Sequence, residues 1–425
     1  MALLIRSHAN PVAQTLRPML SALLAADAAV DIEFWDGSAL RADSPAGAIR
    51  VHSPRALQHI IWSPRELGLA RAYVSGDVDF DGDIIDLMAE LRTSSPQRAS
   101  LMRTFPEMLR AVNALGLAGR RPPLPQIEFR PHVLRNHTPF LDAQAISHHY
   151  DVSNDFYAMV LGESLVYSCA YFPDHGTDLT TAQLAKCELI CTKLGLQPGM
   201  RVLDVGCGWG TMVMHAASAH GVDVVGITIS REQAALARQR VAAAGLGRRV
   251  EIRLQDYRDL RGETFDAISS IGMSEHVGSA NLETYFRILR AALRPQGRLL
   301  NHAISSIGGS RLRTNTFMYR YVFPDGELID VARTQAAMQA AGFEVRDVQS
   351  LREHYALTLR HWVRNLEQNW EAAVAEVGEQ RARVWRLYMA GSSVGFSDGG
   401  LNLHQVLGVV PGSDGHSGMP LARPV

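Results

Sequence analysis

Between residues 200 and 302 the chain alternates short apolar runs with longer amphipathic stretches. Residues 202–205, 222–227, 250–254 and 265–270 have the length and apolar content of strands, and 298–302 begins a fifth. Residues 180–194, 211–220, 231–244 and 282–293 instead carry apolar side chains at helical spacing. Repeated β–α units of this size predict an α/β fold, a doubly wound, mostly parallel sheet of Rossmann-like type with helices on both faces. A ligand then belongs over the carboxyl ends of the strands, where the loops after 205, 227, 254 and 270 converge.

The flanks read differently. Val30 to Trp35 alternates with period two before Asp36-Gly37, Ile49-Arg50-Val51 repeats the pattern, and Ser63-Pro64 can open a helix. Residues 1–125 are expected to form a small α/β domain. Within it, Asp77, Asp79, Asp81 and Asp83 lack the glutamate of a calcium loop, which leaves a solvated turn. Residues 126–140 are the expected linker, following Pro122, Pro123 and Pro125, which favour extended backbone. Arg103, Arg110, Arg120, Arg121, Arg130 and Arg135 collect there, as a solvated linker or as a basic collar for an anionic membrane surface. The second domain covers 141–410. Its late amphipathic stripe, 356–377, reads as core, and 411–425 reads as a disordered tail.

Composition narrows the function classes. A chain of 425 residues with 47% hydrophobic and 20% charged residues is an ordinary globular protein with room for two domains. Its net charge of −1 gives no global attraction to nucleic acid. The cysteines Cys169, Cys187, Cys191 and Cys207 form no disulfide framework. Cys187 and Cys191 lie one helical turn apart with no His or Cys at zinc spacing, so no metal is expected there. No apolar run reaches transmembrane length and no signal peptide is evident, which predicts a cytoplasmic protein.

Candidate chemistry begins at Asp204-Val205-Gly206-Cys207-Gly208-Trp209-Gly210. A strand, three glycines and a helix start let a nucleotide approach bare backbone and free N–H groups, although a tight structural turn would look the same. The end of the second strand, Thr228-Ile229-Ser230 with Gln233, has no acid for ribose hydroxyls, which weakens a dinucleotide reading. Asp256 and Tyr257 offer a carboxylate for an exocyclic amine and a ring for stacking, or simply a turn.

With these residues the chain resembles the cyclopropane-fatty-acyl-phospholipid synthase family of S-adenosylmethionine (SAM) dependent methyltransferases, which includes the mycolic acid cyclopropane synthases. The resemblance is carried by residues 148–157, 167–172, 203–210, 274–278 and 320–326. It implies a class I SAM-methyltransferase fold, with SAM held by Tyr167, Ser168, Asp204, Gly206, Gly208, Gly210, Thr228, Ile229, Gln233, Asp256 and Tyr257. It further implies a bicarbonate ion held by Cys169 (through its backbone), Glu275, His302, Ile304 and Tyr355. Its substrates would be unsaturated phospholipid acyl chains met at a peripheral membrane surface, with a homodimer left open. An alkene is a poor nucleophile, so methyl transfer needs a dry, aligned pocket, and Tyr167 or Tyr319 could face the resulting carbocation. Family products include rings, methylene branches and oxygenated carbons, which the motifs do not separate. Ser392 stands where family members carry a late cysteine, which argues against an essential thiol there.

Overall fold

The computed structural model describes residues 11–23, 28–64, 66–93, 101–117, 121–129, 153–324 and 326–422. Two units emerge: residues up to Arg130 with Asn315–Tyr321 and Gly378–Val394, and the remainder. The motif segment 148–152 and Arg120, Arg130 and Arg135 of the basic cluster lie outside the described residues.

In the first unit, strands β1 (Asp31–Phe34), β2 (Ala39–Leu40), β3 (Ala48–Val51) and β4 (Val78–Asp81) form a sheet in the order β2-β1-β3-β4. The β1–β3 pair is parallel and its neighbours antiparallel. Strand β4 replaces the expected solvated turn. Val78 and Phe80 turn inward while the aspartates are taken up by cations. Asp77 is itself buried and accepts from Ser53 and Arg55, Asp79 pairs with Arg383 at 2.7 Å, and Asp81 pairs with Arg50 at 2.5 Å. The start of the expected linker also belongs to this unit. Glu128 is buried in an ion pair with Arg71 at 2.5 Å and accepts from Tyr321 Oη at 2.9 Å.

The second unit bears out the α/β expectation. Strands β5 (Arg201–Val205), β6 (Asp223–Thr228), β7 (Val250–Leu254), β8 (Phe265–Ile271), β9 (Leu293–Ser305), β12 (Glu344–Ser350) and β13 (Asn402–Val409) form one sheet in the order β12-β13-β9-β8-β5-β6-β7; β10 (Ser310–Arg311) and β11 (Glu327–Leu328) pair separately. The five strands from β9 to β7 are parallel, and β13 runs antiparallel to both its neighbours. Helices Leu179–Leu194, Thr211–His220 and Arg231–Ala243 bury one apolar cluster against the sheet. Leu282–Ala291 and Val331–Ala340 contribute to a second.

The late stripe starts earlier than its pattern suggested and breaks at Asn369, giving helices Arg352–Gln368 and Trp370–Val377. Its side chains Tyr355, Leu359, Trp362, Val363 and Leu366 are buried, so it is core. The tail, expected to be disordered, is held as far as Met419: Gly412 donates to the His416 carbonyl, Arg298 donates to that of Gly418, and Met419 packs on the first cluster. Among the described residues no helix is long and apolar enough to cross a membrane.

Candidate active site

The glycine loop is shaped by backbone conformations that side chains rarely adopt. Gly206, Gly208 and Gly210 have φ of 78°, 54° and 87°. The N–H groups of Gly206 and Cys207 both donate to the Ile227 carbonyl, at 2.9 and 3.0 Å, which pins the loop to the end of β6. Gly210 then caps helix Thr211–His220 without a side-chain hydrogen bond, leaving that helix start to an incoming polar group. Asp204 sits beneath the loop, accepting from Ser269 Oγ at 2.6 Å. Burial pushes its carboxyl up to about 6, against the opposing pull of Ser269 and Lys186.

The other nucleoside contacts are placed at neighbouring strand ends. Thr228 Oγ1 donates to Gln233 Oε1 at 2.9 Å, so the Gln233 side chain has its amide N–H groups to offer a ligand. Ile229 follows β6 directly. Asp256 caps a short 3₁₀ turn and accepts from the Arg258 backbone, Nε and Nη2 at 2.8, 2.9 and 2.7 Å. Burial opposes its ionisation, but the Arg258 hydrogen bonds outweigh it and hold the carboxyl below its ordinary range. Tyr257 packs edge-on against Tyr285. Any exocyclic amine reaching Asp256 therefore shares that carboxylate with Arg258.

A row of rings connects this loop to the second half of the site. Trp209, whose Nε1 donates to Asn154 at 2.8 Å, lies 4.7 Å from Tyr157. Tyr157 to Tyr167, Tyr167 to Trp362, Trp362 to Tyr355 and Tyr355 to Phe396 follow at 5.5, 5.4, 6.0 and 4.6 Å between centroids. These rings make a nearly continuous apolar wall with π faces. Tyr319, the other expected cation-facing ring, packs on Phe129 in the first unit. Ser392 is buried on helix Glu379–Ser397.

A chain of contacts through the backbones of Leu351 and Leu403 runs from Cys169 and Tyr355 to Ile304 and Glu275. Cys169 Sγ lies 3.7 Å from the Leu351 carbonyl, which also accepts from the Tyr355 backbone at 3.2 Å. The Leu351 N–H donates to Leu403 at 2.9 Å, and Leu403 pairs with Ile304 across β13 and β9. The Ile304 N–H donates to Glu275 Oε1 at 2.7 Å. His302 lies two residues back on β9, opposite Gln405, whose Nε2 is 3.2 Å from His302 Nδ1. With Nδ1 accepting, the imidazole proton resides on Nε2. The resemblance gives Ile304 a place in holding an anion, whereas its N–H here serves Glu275.

Two buried polar atoms of this set have no partner: His302 Nε2 and Glu275 Oε2. Burial pushes the Glu275 carboxyl up to about 7, outweighing the backbone hydrogen bonds it accepts. Burial, followed by the charges of Lys186 and Lys193, holds His302 well below the usual imidazole range, so it is neutral. Burial also raises the Cys169 thiol, which favours its protonated form. Each orphaned atom is open to a polar ligand; the cavity beside Glu275 is lined by Ser274, Asn301, Ala303, Ile304 and Ser305, and His302 is not among its lining residues.

Sequence reasoning missed the supporting residues. Lys186 is buried on helix Leu179–Leu194 with Nζ 3.1 Å from Ser168 Oγ, and its charge acts on Asp204, Cys169 and His302. Its place in the apolar stripe of Leu179, Ala182, Cys187 and Ile190 was the available signal. Beneath Glu275, Ser274 and Ser270 both donate to Asn301 Oδ1, at 2.8 and 3.3 Å, and hold the one-turn helix Ser274–Val277 on β9.

This fold and loop define a class I SAM-dependent methyltransferase. The chain belongs to the mycolic acid cyclopropane synthetase family, whose pattern matches residues 137–406. It is 43% identical over 91% of its length to "Probable fatty acid methyltransferase Rv3720" of Mycobacterium tuberculosis, covering 92% of that protein. It is 34% identical over 87% of its length to the cyclopropane-fatty-acyl-phospholipid synthase of Escherichia coli K12, covering 90% of it. The crystal structure of mycolic acid cyclopropane synthase CmaA1 with SAH and CTAB superposes with a TM-score of 0.59 at 35% identity, over 64% of this chain and 98% of that one. A coclaurine N-methyltransferase structure, at 23% identity and a TM-score of 0.57, shares the fold.

Proposed function

We propose that this enzyme transfers a methyl group from SAM to the cis double bond of unsaturated acyl chains in phospholipids and closes a cyclopropane ring. The observation that carries the reading is the buried Glu275 carboxyl, its second oxygen unpartnered and its first held by the Ile304 N–H, in the sheet that also carries the glycine loop. When bound, SAM supplies an electrophilic methyl on a sulfonium and bicarbonate supplies a small base for the proton lost on ring closure.

The chain's own residues set the conditions for that chemistry. The glycine loop and Gln233 hold the methyl donor at the carboxyl edge of the sheet. The row from Trp209 to Phe396 excludes water from an alkene and offers π faces to developing positive charge. His302 donates from Nε2, and Glu275, with a carboxyl near half-protonation at neutral pH, can share a proton with an adjacent anion without two full charges opposing each other.

A methylene- or methyl-branched product is the second reading. It is favoured by the fatty acid methyltransferase names of the 43% and 39% identical relatives, and by a 35% identical relative named a tuberculostearic acid methyltransferase. Lipid analysis after incubation with SAM and vesicles of monounsaturated phospholipid separates the two. Ring closure gives high-field cyclopropane protons, a branch gives vinylic or methyl signals, and an unmodified acyl fraction refutes both.

The setting we infer is cytoplasmic, with transient contact at a membrane surface through the first unit and the basic segment after it. Co-sedimentation of the full chain with anionic vesicles, falling with salt, is the expected result. Equal recovery with neutral vesicles would remove the electrostatic part of this inference.

A further inference from the structure

Away from the ring-lined wall, two packed helices bring together four metal-ligating groups that lie far apart in the sequence. Glu188 and Cys191, three residues apart, share a face of Leu179–Leu194. His215 and His220 come from Thr211–His220. Cys191 Sγ and one ring nitrogen from each histidine all lie within 4.8 Å of one another. Glu188 Oε2 is 3.0 Å from His215 Nε2 and 3.1 Å from His220 Nε2, so one carboxylate oxygen faces both rings. The thiol is buried, the two imidazoles are 17% and 19% exposed, and Glu188 is 48% exposed, which leaves a route in from solvent.

A carboxylate shared by two imidazoles would by itself be an ordinary hydrogen-bond cluster. The thiol is the additional observation, since that cluster has no use for a buried sulfur placed among its nitrogens. One thiolate, two imidazoles and one carboxylate are a donor set for a tetrahedral, borderline-soft cation and unsuited to Ca²⁺ or Mg²⁺. Zinc bond lengths place ligand atoms about 3.5 Å apart, so closing the cluster needs side-chain shifts of only about 1 Å. The cysteine pair lacks zinc spacing along the chain; folding supplies the histidines from the next helix.

We propose that Glu188, Cys191, His215 and His220 form a structural site for one divalent transition-metal ion, with Zn²⁺ preferred. Four protein ligands leave no open position, so the ion joins helices and does no chemistry on substrate. It fastens the helix carrying Lys186 to the helix that starts at Gly210, so its effect is on the rigidity of the methyl-donor loop.

The test uses the full chain, freed of metal by dialysis against a chelator and titrated with Co²⁺. One equivalent should produce the near-ultraviolet thiolate-to-cobalt band and tetrahedral visible bands, and one equivalent of Zn²⁺ should abolish both. Cys191→Ser should remove the thiolate band. His220→Gln, at a half-buried position, should weaken Zn²⁺ binding at least about tenfold. Free Zn²⁺ at about a hundred times its Kd should raise the Tm of the parent on the order of 5 °C and leave that of His220→Gln unmoved. A missing thiolate band, a band that survives Cys191→Ser, or equal Zn²⁺ affinity of parent and His220→Gln would each overturn the proposal.

Discussion

Glu275→Gln should stabilise the protein at neutral and higher pH while disabling it. The substitution keeps an oxygen to accept from the Ile304 N–H and removes only the capacity for charge. Burial raises the folded-state pKa from 4.5 to about 7. The folded state therefore binds more protons than the unfolded state between these values, and the parent loses stability as pH rises through that window. A shift of this size corresponds to about 3 kcal/mol, absent below pH 4.5 and fully expressed above about 7. Glutamine escapes the penalty, so the gap between variant and parent should open from near zero at pH 4.5 to about 3 kcal/mol at pH 8. Urea unfolding at several pH values, without SAM or bicarbonate, measures it. If Glu275 helps to hold a base, kcat should meanwhile fall by about 100-fold or more. Parallel stability curves for the two proteins would refute the assignment of a desolvated carboxyl, whatever the activity.

Three further outcomes are expected. Cys169→Ala should retain kcat within a few-fold, because the thiol is buried and protonated among the Ala170 and Leu351 carbonyls and the Thr358 hydroxyl; a complete loss would give the sulfur a role in the reaction. Lys186→Met should weaken SAM binding by roughly tenfold in calorimetry, the worth of one charge-assisted hydrogen bond to Ser168, and unchanged affinity would make Lys186 a purely packed residue. Gly206→Ala should cost on the order of 1–2 kcal/mol from the positive φ and push Met273 Sδ, 2.6 Å from the added Cβ, out of place. SAM affinity equal to that of the parent would show that the loop tolerates the shift.

The parallel half of the sheet was legible because β5, β6 and β8 are short, largely apolar runs, each followed by a helix, and β7 and β9 continue the same alternation. Strands β12 and β13 were not. Glu344–Ser350 is an edge strand with solvated side chains, and His404 and Gln405 break the apolar pattern of β13 although Gln405 is buried against His302. β4 was hidden for a related reason, its aspartates lying on the exposed side of the strand in ion pairs with Arg383 and Arg50 while Val78 and Phe80 turn inward. Of the site, the glycine loop was legible from its glycine spacing, whereas the ion-site residues were legible only by resemblance, since no spacing predicts contact between residues as distant as 169 and 355. Lys186 escaped because a lysine in an apolar stripe usually carries its ammonium out to water. Here Ser168 keeps it inside.

The most direct test of the central claim is mass spectrometry of the lipid after incubation with methyl-labelled SAM and monounsaturated phospholipid vesicles. The account predicts one labelled CH₂ added per modified acyl chain, at the former double bond, and none in saturated lipid. Label confined to a small soluble amine or hydroxyl acceptor, with the acyl chains untouched, would contradict it.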